Sequence, residues 1–456
     1  MSSNRRGSGT GHVTKTYISA RCGQCVDHTD LAGQSVSVRQ SPIVRRLETN
    51  MHVLQVTLTC WLVCCGPGFP PATEATRVSP LISGETTFSQ NLYGKLRQSH
   101  DNLIYSPYSI HSVLSMTLAG ARGETAQAMR DTLEMTGVET GSLHDSYRLW
   151  NGRLEGAWGA EVDVANGIFV RPGKTLVPSF HDLATSQYQA VSMNLDLSAG
   201  GGPEVAINSW VSEKTRGQIQ NLLPPGTLDA STDLVLVNAI FFNGSWADHF
   251  HVSETQEADF TRTDNSVRTV RMMHRLGHLA YRSHPALQAD VVDIPFSGSF
   301  SLSVVLPHAG SSLATLETAV TSQDGATLTL LQGLQTRKVD LFLPRFQIEA
   351  EFSLKHVLTE LGMGVAFSNM ADFSGIVEGG GIKISDVVHK AVIEVTEQGS
   401  TASAATAVAM VRFSAVEVLG PEEEPVVFRA DRPFLFLLRD LNNGGILFQG
   451  KFSGPA

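Results

Sequence analysis

The sequence predicts a single large α+β domain, and three observations predict it. Helix-period and strand-type apolar segments are mixed along the chain from about residue 80 to the C-terminus. No linker or internal repeat interrupts them. The 456 residues are 42% hydrophobic and 17% charged, with a mean hydropathy of −0.01, which excludes a disordered chain and a multi-pass membrane protein. Length alone would allow up to three domains, but nothing in the sequence marks a boundary between them.

The N-terminal stretch stands apart. Residues 1–50 are rich in Ser, Gly and Arg without a sustained apolar period, and read as an upstream extension ahead of a start at Met51. Val53-Leu-Gln-Val-Thr-Leu-Thr-Cys-Trp-Leu-Val-Cys-Cys65 is too short to span a bilayer but suits the apolar region of a signal peptide. Residues 51–72 are therefore the signal-peptide region, with cleavage between Cys65 and Thr73, and residues 73–456 are the domain. A buried strand or short helix is the alternative for the apolar run. All five cysteines lie at or before Cys65. Cys22-Gly-Gln-Cys25 has metal-hook spacing, but no second pair follows it, so no metal site is expected. The domain itself has no thiol and must be held by its core.

Within the domain, Asn102-Leu-Ile-Tyr-Ser-Pro leads into a helix on which Ile110, Val113, Leu114 and Leu118 recur at helical spacing. Ile207, Trp210 and Val211 do the same ahead of the stop signal Pro224-Pro-Gly226. Leu234-Val-Leu-Val-Asn-Ala-Ile-Phe-Phe242 is nearly all apolar, as a strand covered on both faces should be. Phe346, Ile348, Ala350 and Phe352 alternate with polar residues, which marks a half-buried strand. Residues 434–438 and 446–452 supply two further apolar runs.

Enzyme motifs are absent: the chain has no GxSxG, HExxH or GxGxxG. Gly167 and Gly173-Lys-Thr175 are one residue too far apart for a phosphate loop and read as a turn. No nucleophile–base pair suggests a hydrolase, so the chain is read as a non-enzyme that needs no cofactor. The net charge of −10 offers no basic field for nucleic acid. Asn243-Gly-Ser245 is a glycosylation sequon, and His389 in Val387-Val-His-Lys-Ala-Val-Ile reads from spacing as a satisfied core histidine.

One segment is unlike the rest. From Gln398 to Val411 there is no charge, proline or aromatic residue. Composition admits a flexible Ala/Ser/Thr linker, but Glu394-Val-Thr-Glu397 carries a strand directly into it and core sequence resumes at Phe428. The alternative is a loop able to become a strand. With period two, Ser400, Ala402, Ala404, Thr406, Val408 and Met410 would share one face, and every backbone N–H could join a ladder.

At this point the chain resembles the serpin family, over roughly residues 80–456. The resemblance rests on Asn102-Leu-Ile-Tyr-Ser-Pro, Gly120-Ala-Arg-Gly-Glu-Thr-Ala-Gln-Ala-Met129, Ala165-Asn-Gly-Ile-Phe-Val170 and Ile207-Asn-Ser-Trp-Val-Ser-Glu-Lys-Thr215. It rests further on Leu222-Leu-Pro-Pro-Gly226, Leu236-Val-Asn-Ala-Ile-Phe-Phe-Asn-Gly-Ser-Trp246, Leu341-Phe-Leu-Pro-Arg-Phe346, Val388-His-Lys-Ala391 and Phe428-Arg-Ala-Asp-Arg-Pro-Phe-Leu-Phe-Leu-Leu438. It implies a single domain with three β-sheets, about nine helices and an exposed reactive loop from Gln398 to about Pro425. It also implies a mechanism, in which a serine protease forms an acyl-enzyme with the loop and the cleaved loop inserts into the main sheet. Ser106, Ser109, Asn238 and His389 match the polar group that latches that sheet, and Trp246 matches the residue at its top.

The resemblance makes Glu397, Gly399, Ser400, Ala402, Ser403, Ala404, Ala405 and Thr406 the hinge. Its residues beyond Glu397 are small, as in inhibitors, whereas carrier or chaperone relatives have bulky, charged or proline-containing hinges. Counting fourteen positions from Gly399 puts the scissile bond at Phe413–Ser414, which suits chymotrypsin-like proteases. Arg412–Phe413 is the competitor and would serve trypsin-like ones. Ser414 to Phe428 is longer than usual and carries Glu422-Glu-Glu424. The expected partner is a serine protease, met outside the cell by a monomer, with no nucleic acid and no membrane. Arg130 to Gly141 holds one basic residue and three acids, so heparin acceleration is not expected.

Overall fold

The structure, a computed structural model, describes residues 72–98, 100–322, 325–400 and 424–455. The readings made for residues 1–71, for the hinge residues Ala402 to Thr406 and for Arg412, Phe413 and Ser414 lie outside the described residues.

The chain begins with α1 (Ala72–Leu96), β1 (Leu103–Tyr105), α2 (Pro107–Gly120), α3 (Gly123–Thr132) and α4 (Thr140–Glu155). Then come β2 (Ala160–Val170), α5 (Pro178–Tyr188), β3 (Val191–Asn194), α6 (Pro203–Lys214) and β4 (Leu234–Ser245). The middle is β-rich: β5 (Gln256–Thr261), β6 (Val267–His284), β7 (Ala289–Pro295) and β8 (Phe300–Pro307), followed by α7 (Leu313–Thr321) and α8 (Ala326–Leu331). Next are β9 (Gln335–Pro344), β10 (Phe346–Ser353), α9 (Lys355–Leu358), β11 (Ile384–Val395) and β12 (Gly399–Ser400). Three strands close the chain: β13 (Val426–Arg429), β14 (Phe434–Asp440) and β15 (Ile446–Phe452).

The nine α-helices among the described residues agree with the expected number. The expected three sheets are joined by hydrogen bonds into two networks. The six-stranded one runs β10-β11-β4-β2-β3, with β12 on β4. The nine-stranded one runs β1-β15-β14-β8-β7-β6-β9-β13, with β5 on β6. Long β6 makes the second continuous, because it pairs β5 at its start, β9 through its middle and β7 at its end.

β4 is the strand covered on both faces. Its Leu234, Leu236, Ile240 and Phe242 join the main core, whereas Val235, Val237, Ala239 and Phe241 pack with Ile207 and Val211 of α6. A strand buried on both sides needs no alternation, and its sequence shows none. β10 alternates as its sequence does, with Phe346, Ile348 and Phe352 buried and Gln347, Glu349, Glu351 and Ser353 exposed.

Three local readings change. α6 ends at Lys214, well before Pro224, because Arg216 and Gly217 both adopt positive φ and end the helical path. The stretch from Arg130 to Gly141 is not one helix; α3 ends at Thr132, and α4 starts at Thr140 with Arg148 and Arg153 set against Asp145 and Glu155. Finally, β11 does not run through Glu397. It stops at Val395, and Thr396 and Gly399 bond each other's backbone across a tight turn.

Candidate functional site

The turn sends the chain back beside β4. Gly399 pairs with Ser245 and Ser400 with Gly244, antiparallel, at the top of the seam between β4 and β11. Below it those two strands pair directly and in parallel, from Ile384 opposite Leu234 to Val392 opposite Phe241. Gly399 has φ of 145°, and a Cβ there would lie 2.0 Å from the Gly244 carbonyl oxygen. Only glycine can bring the chain this close. Ser400 is fully buried and its Oγ donates to the Phe242 carbonyl at 3.0 Å.

Aromatic packing and charge fix the turn. Trp246 is buried, stacks on Phe296 at 4.2 Å, and donates from Nε1 to the Thr396 carbonyl at 2.8 Å and from its backbone N–H to Gln398. The Phe250 N–H donates to the Glu397 carbonyl. The Glu397 carboxylate is nearly buried, with Arg345 at 3.5 Å and Arg271 at 3.8 Å. Trp246 thus combines both sequence readings, core packing and a place at the top of the sheet. Glu397 anchors the turn from outside the strand that it was expected to extend.

Halfway down, the structure brings Ser106, Ser109, Asn238 and His389 together. Strand register sets Asn166, Asn238 and His389 in one cross-strand row over β2, β4 and β11, and Phe352 of β10 extends that row. The N-terminus of α2 meets the row from below. Pro107 is pre-set for the first turn, and the Ser106 Oγ caps it by accepting from the Ser109 N–H at 3.1 Å. Ser106 therefore reaches His389 through its backbone, donating from N–H to Nε2 at 3.1 Å.

That fixed donor decides the tautomer. Nε2 accepts, so Nδ1 carries the proton and donates to Asn238 Oδ1 at 2.5 Å. Asn238 Oδ1 also accepts from Ser109 Oγ at 2.7 Å, and its Nδ2 donates to Asn166 Oδ1 at 2.6 Å and to the Ser109 carbonyl at 3.1 Å. Every donor and acceptor of the Asn238 amide is used. Burial holds the His389 ring neutral and lowers its pKa to about 3. The core-histidine and latch readings describe the same residue.

Asn166 was missed. It is nearly buried and lies in the Ala165-Asn-Gly-Ile-Phe-Val run, but only the β2–β4 register shows that it meets Asn238. Asn243 is half-buried within β4 and its amide donates to Glu161 at 3.3 Å. Among the described residues no group of three or more His, Cys, Asp or Glu could hold a metal ion, and no helix is long and apolar enough to cross a membrane.

The family model described as Serpin (serine protease inhibitor) matches residues 83–455. Serpin B3 of Homo sapiens is 34% identical over 398 residues, which is 83% of this chain and all of that protein. The leukocyte elastase inhibitor of Bos taurus is 34% identical over 385 residues, covering 82% of this chain and 99% of the relative. Among solved structures, human thyroxine-binding globulin superposes with a TM-score of 0.75 at 27% identity, over 83% of this chain and the whole of that one. With a family model matched across residues 83–455, relatives 34% identical over their full length and the same fold in a solved structure, the chain belongs to the serpin family of serine protease inhibitors.

Proposed function

We propose that this chain is a secreted, monomeric suicide-substrate inhibitor of a serine protease, acting through insertion of residues 399–410 between β4 and β11. The observation that carries the reading is the β12–β4 pairing, which already sets hinge residues Gly399 and Ser400 in that seam. Continuing their register places Thr406 opposite Asn238 and Met410 opposite Leu234, the first residue of β4. Ala402, Ala404, Thr406, Val408 and Met410 then share the buried face of Ser400, against the core-facing side of β4. Arg412 and Phe413 fall just past the strand's end, where a cut leaves a full-length insert.

In the reaction, the protease serine attacks the carbonyl carbon of Phe413. An ester forms, the peptide bond to Ser414 breaks, and the serine's proton passes to the new amine. Insertion of the freed strand then carries the esterified protease away before water can attack. Arg412 is the alternative scissile residue, for a trypsin-like enzyme. A carrier role, suggested by the likeness to thyroxine-binding globulin, is disfavoured because the hinge beyond Glu397 lacks bulk, charge and proline. The serpin family has secreted and intracellular members, so extracellular action rests on residues 51–72 alone, and Asn243 is the glycan site that goes with it. No heparin acceleration is expected, since α4 balances Arg148 and Arg153 with Asp145 and Glu155.

Incubation with chymotrypsin and with trypsin tests the reading. An SDS-stable complex and a released peptide beginning at Ser414 support Phe413, and one beginning at Phe413 supports Arg412. Cleavage without a stable complex refutes the inhibitor reading, and a terminus beyond Val418 refutes both scissile bonds. Ser400→Arg should expel residues 399 and 400 from the seam and turn inhibitor into substrate, because Ser400 is fully buried and an unpaired charge there costs several kcal/mol.

A further inference from the structure

Among the described tryptophans, Trp150 and Trp246 are fully buried and Trp210 is half-buried, whereas Trp158 is 67% exposed. A large apolar side chain held in water is the informative exception on a folded surface. Trp158 lies in the turn that joins α4 to β2, and that turn meets the β7–β8 hairpin backbone to backbone. Gly298 of the hairpin has φ of 94°, and a Cβ there would collide with the Trp158 carbonyl oxygen. Gly159 has φ of 78°, and a Cβ there would lie 2.5 Å from the Ser297 carbonyl oxygen. Two left-handed glycines thus clamp the turns together and hold the backbone that carries the exposed indole.

Trp158 also lines a cavity of about 300 Å³. Buried Phe300 contributes to its lining, with Gly152 and Gly156 from the end of α4. Gly152 is exposed within that helix, where glycine is unfavourable, and a Cβ added to it would meet nothing within 4 Å. Its missing side chain leaves open space in the wall.

The rest of the lining is polar, and its charges offset each other. Asp440 is buried and accepts from the Trp150 indole N–H at 3.2 Å and from the Asn442 backbone N–H at 2.9 Å, while Arg153 supplies the opposing charge. Ser299 and Asn442 bring side chains that both donate and accept. The space is at the lower end of the small-ligand range. One flat apolar surface, a rim of mixed donors and acceptors and no net charge suit a six-membered ring that is apolar on its face and hydroxylated at its edge. An organic anion would meet Asp440, a cation would meet Arg153, and a plain aromatic ring would leave the polar rim unpaired. We propose that the cavity between α4 and the β7–β8 hairpin binds a neutral pyranose, its ring face on Trp158 and its hydroxyls on Arg153, Ser299 and Asn442. Binding there requires no loop insertion, so the site stands independently of the inhibitor reading.

Titration of the intact chain with methyl glucoside, methyl mannoside and N-acetylglucosamine tests the assignment, followed by tryptophan fluorescence and by saturation transfer to the sugar protons. At least one of the three should bind at a single saturable site with a Kd of about 1 mM, the strength open to a ligand of that size. Trp158→Ala should weaken this binding at least about tenfold by removing the stacking surface. Gly152→Leu should weaken it as much by filling the cavity while leaving the polar rim in place. Both positions are exposed, so neither variant removes core packing. A heparin hexasaccharide, built on similar rings but strongly anionic, should bind no more tightly than the neutral sugars. No saturable binding below about 50 mM of any of the three, or binding unchanged in either variant, overturns the site. A tighter complex with heparin overturns its neutral character.

Discussion

Lowering the pH from about 7.5 to about 5.5 drives protons onto histidines of the unfolded chain while His389 stays neutral in the fold. Its pKa is about 3 in the structure and about 6.5 when exposed. A histidine whose folded pKa is depressed contributes stability that is fully present above the unfolded pKa and is lost as pH falls toward the folded one. Integrated over that interval, the loss for this single residue is about 1.4 kcal/mol. Geometry supports the size of the effect, because a proton on Nε2 would face the Ser106 N–H and remove its acceptor.

Urea unfolding of the intact chain, following the first transition, measures this loss. His111 and His144 are also held neutral by burial, each with a pKa near 4, and add losses of the same sign. Buried Glu85 and Asp440 and half-buried Asp163 have raised pKa values and act in the opposite direction. The comparison is therefore between wild type and His389→Gln, in which all those other terms are shared. The pH-dependent loss should be smaller in the variant by about 1.4 kcal/mol over this interval. An identical pH dependence in the two proteins would falsify the assignment of His389 as a neutral, latch-bound imidazole.

Three further outcomes are expected. Glu85→Gln should raise the melting temperature at neutral pH, and its advantage should shrink as pH falls toward 4.5, because burial raises the Glu85 carboxyl and no cation pairs with it among the described residues; thermal melts at several pH values check this. Gly399→Val should remove the β12 pairing by collision with the Gly244 carbonyl, detected as faster hydrogen exchange at Gly244 and Ser245 and as a larger fraction of loop cleaved without trapping. Thr406→Val should lower the melting temperature of the loop-cleaved form, where its hydroxyl would stand between Asn238 and His389, and leave the intact form unchanged. Equal shifts in both forms would mean that the register is wrong.

How far the sequence could be read depended on how local each signal was. β4 and β10 were legible because their burial is written into consecutive residues, all apolar in one and alternating in the other. α2 was legible because Ser106-Pro107 both caps and starts it. The turn at Thr396–Gln398 was not legible, since Glu394-Val-Thr-Glu397 has strand character and what stops it is tertiary: Trp246 and Phe250 bond its backbone, and Arg271 and Arg345 hold Glu397. Asn166 escaped for a related reason. A polar residue in an apolar strand shows that a partner is needed, but only the register between β2 and β4 names it. Ser106, Ser109, Asn238 and His389 were singled out as a group through family resemblance, not through spacing, which offered His389 only as a core residue.

Which seam would open in the proposed insertion follows from strand direction. β4 is antiparallel to β2 over the whole length of β2, and β11 is antiparallel to β10 over all of β10. Of the three pairings that join these four strands, the β4–β11 contact alone is parallel, and its register slips between Ile384 and Asp386. Parallel ladders are slightly weaker per residue, and a bulge weakens this one further. The chain leaving β11 reverses at Thr396 and returns antiparallel to β4, and therefore also antiparallel to β11. A segment that continues on this path converts one parallel seam into two antiparallel ones, and it needs no crossover because β11 and the insert form a hairpin. Before cleavage the loop is tied at both ends, to β12 and to β13, and β13 is held in parallel by β9 in the other sheet. Cutting the loop releases the second tie. The energy difference that would drag a protease is thus set by a ladder the intact chain can start but cannot complete.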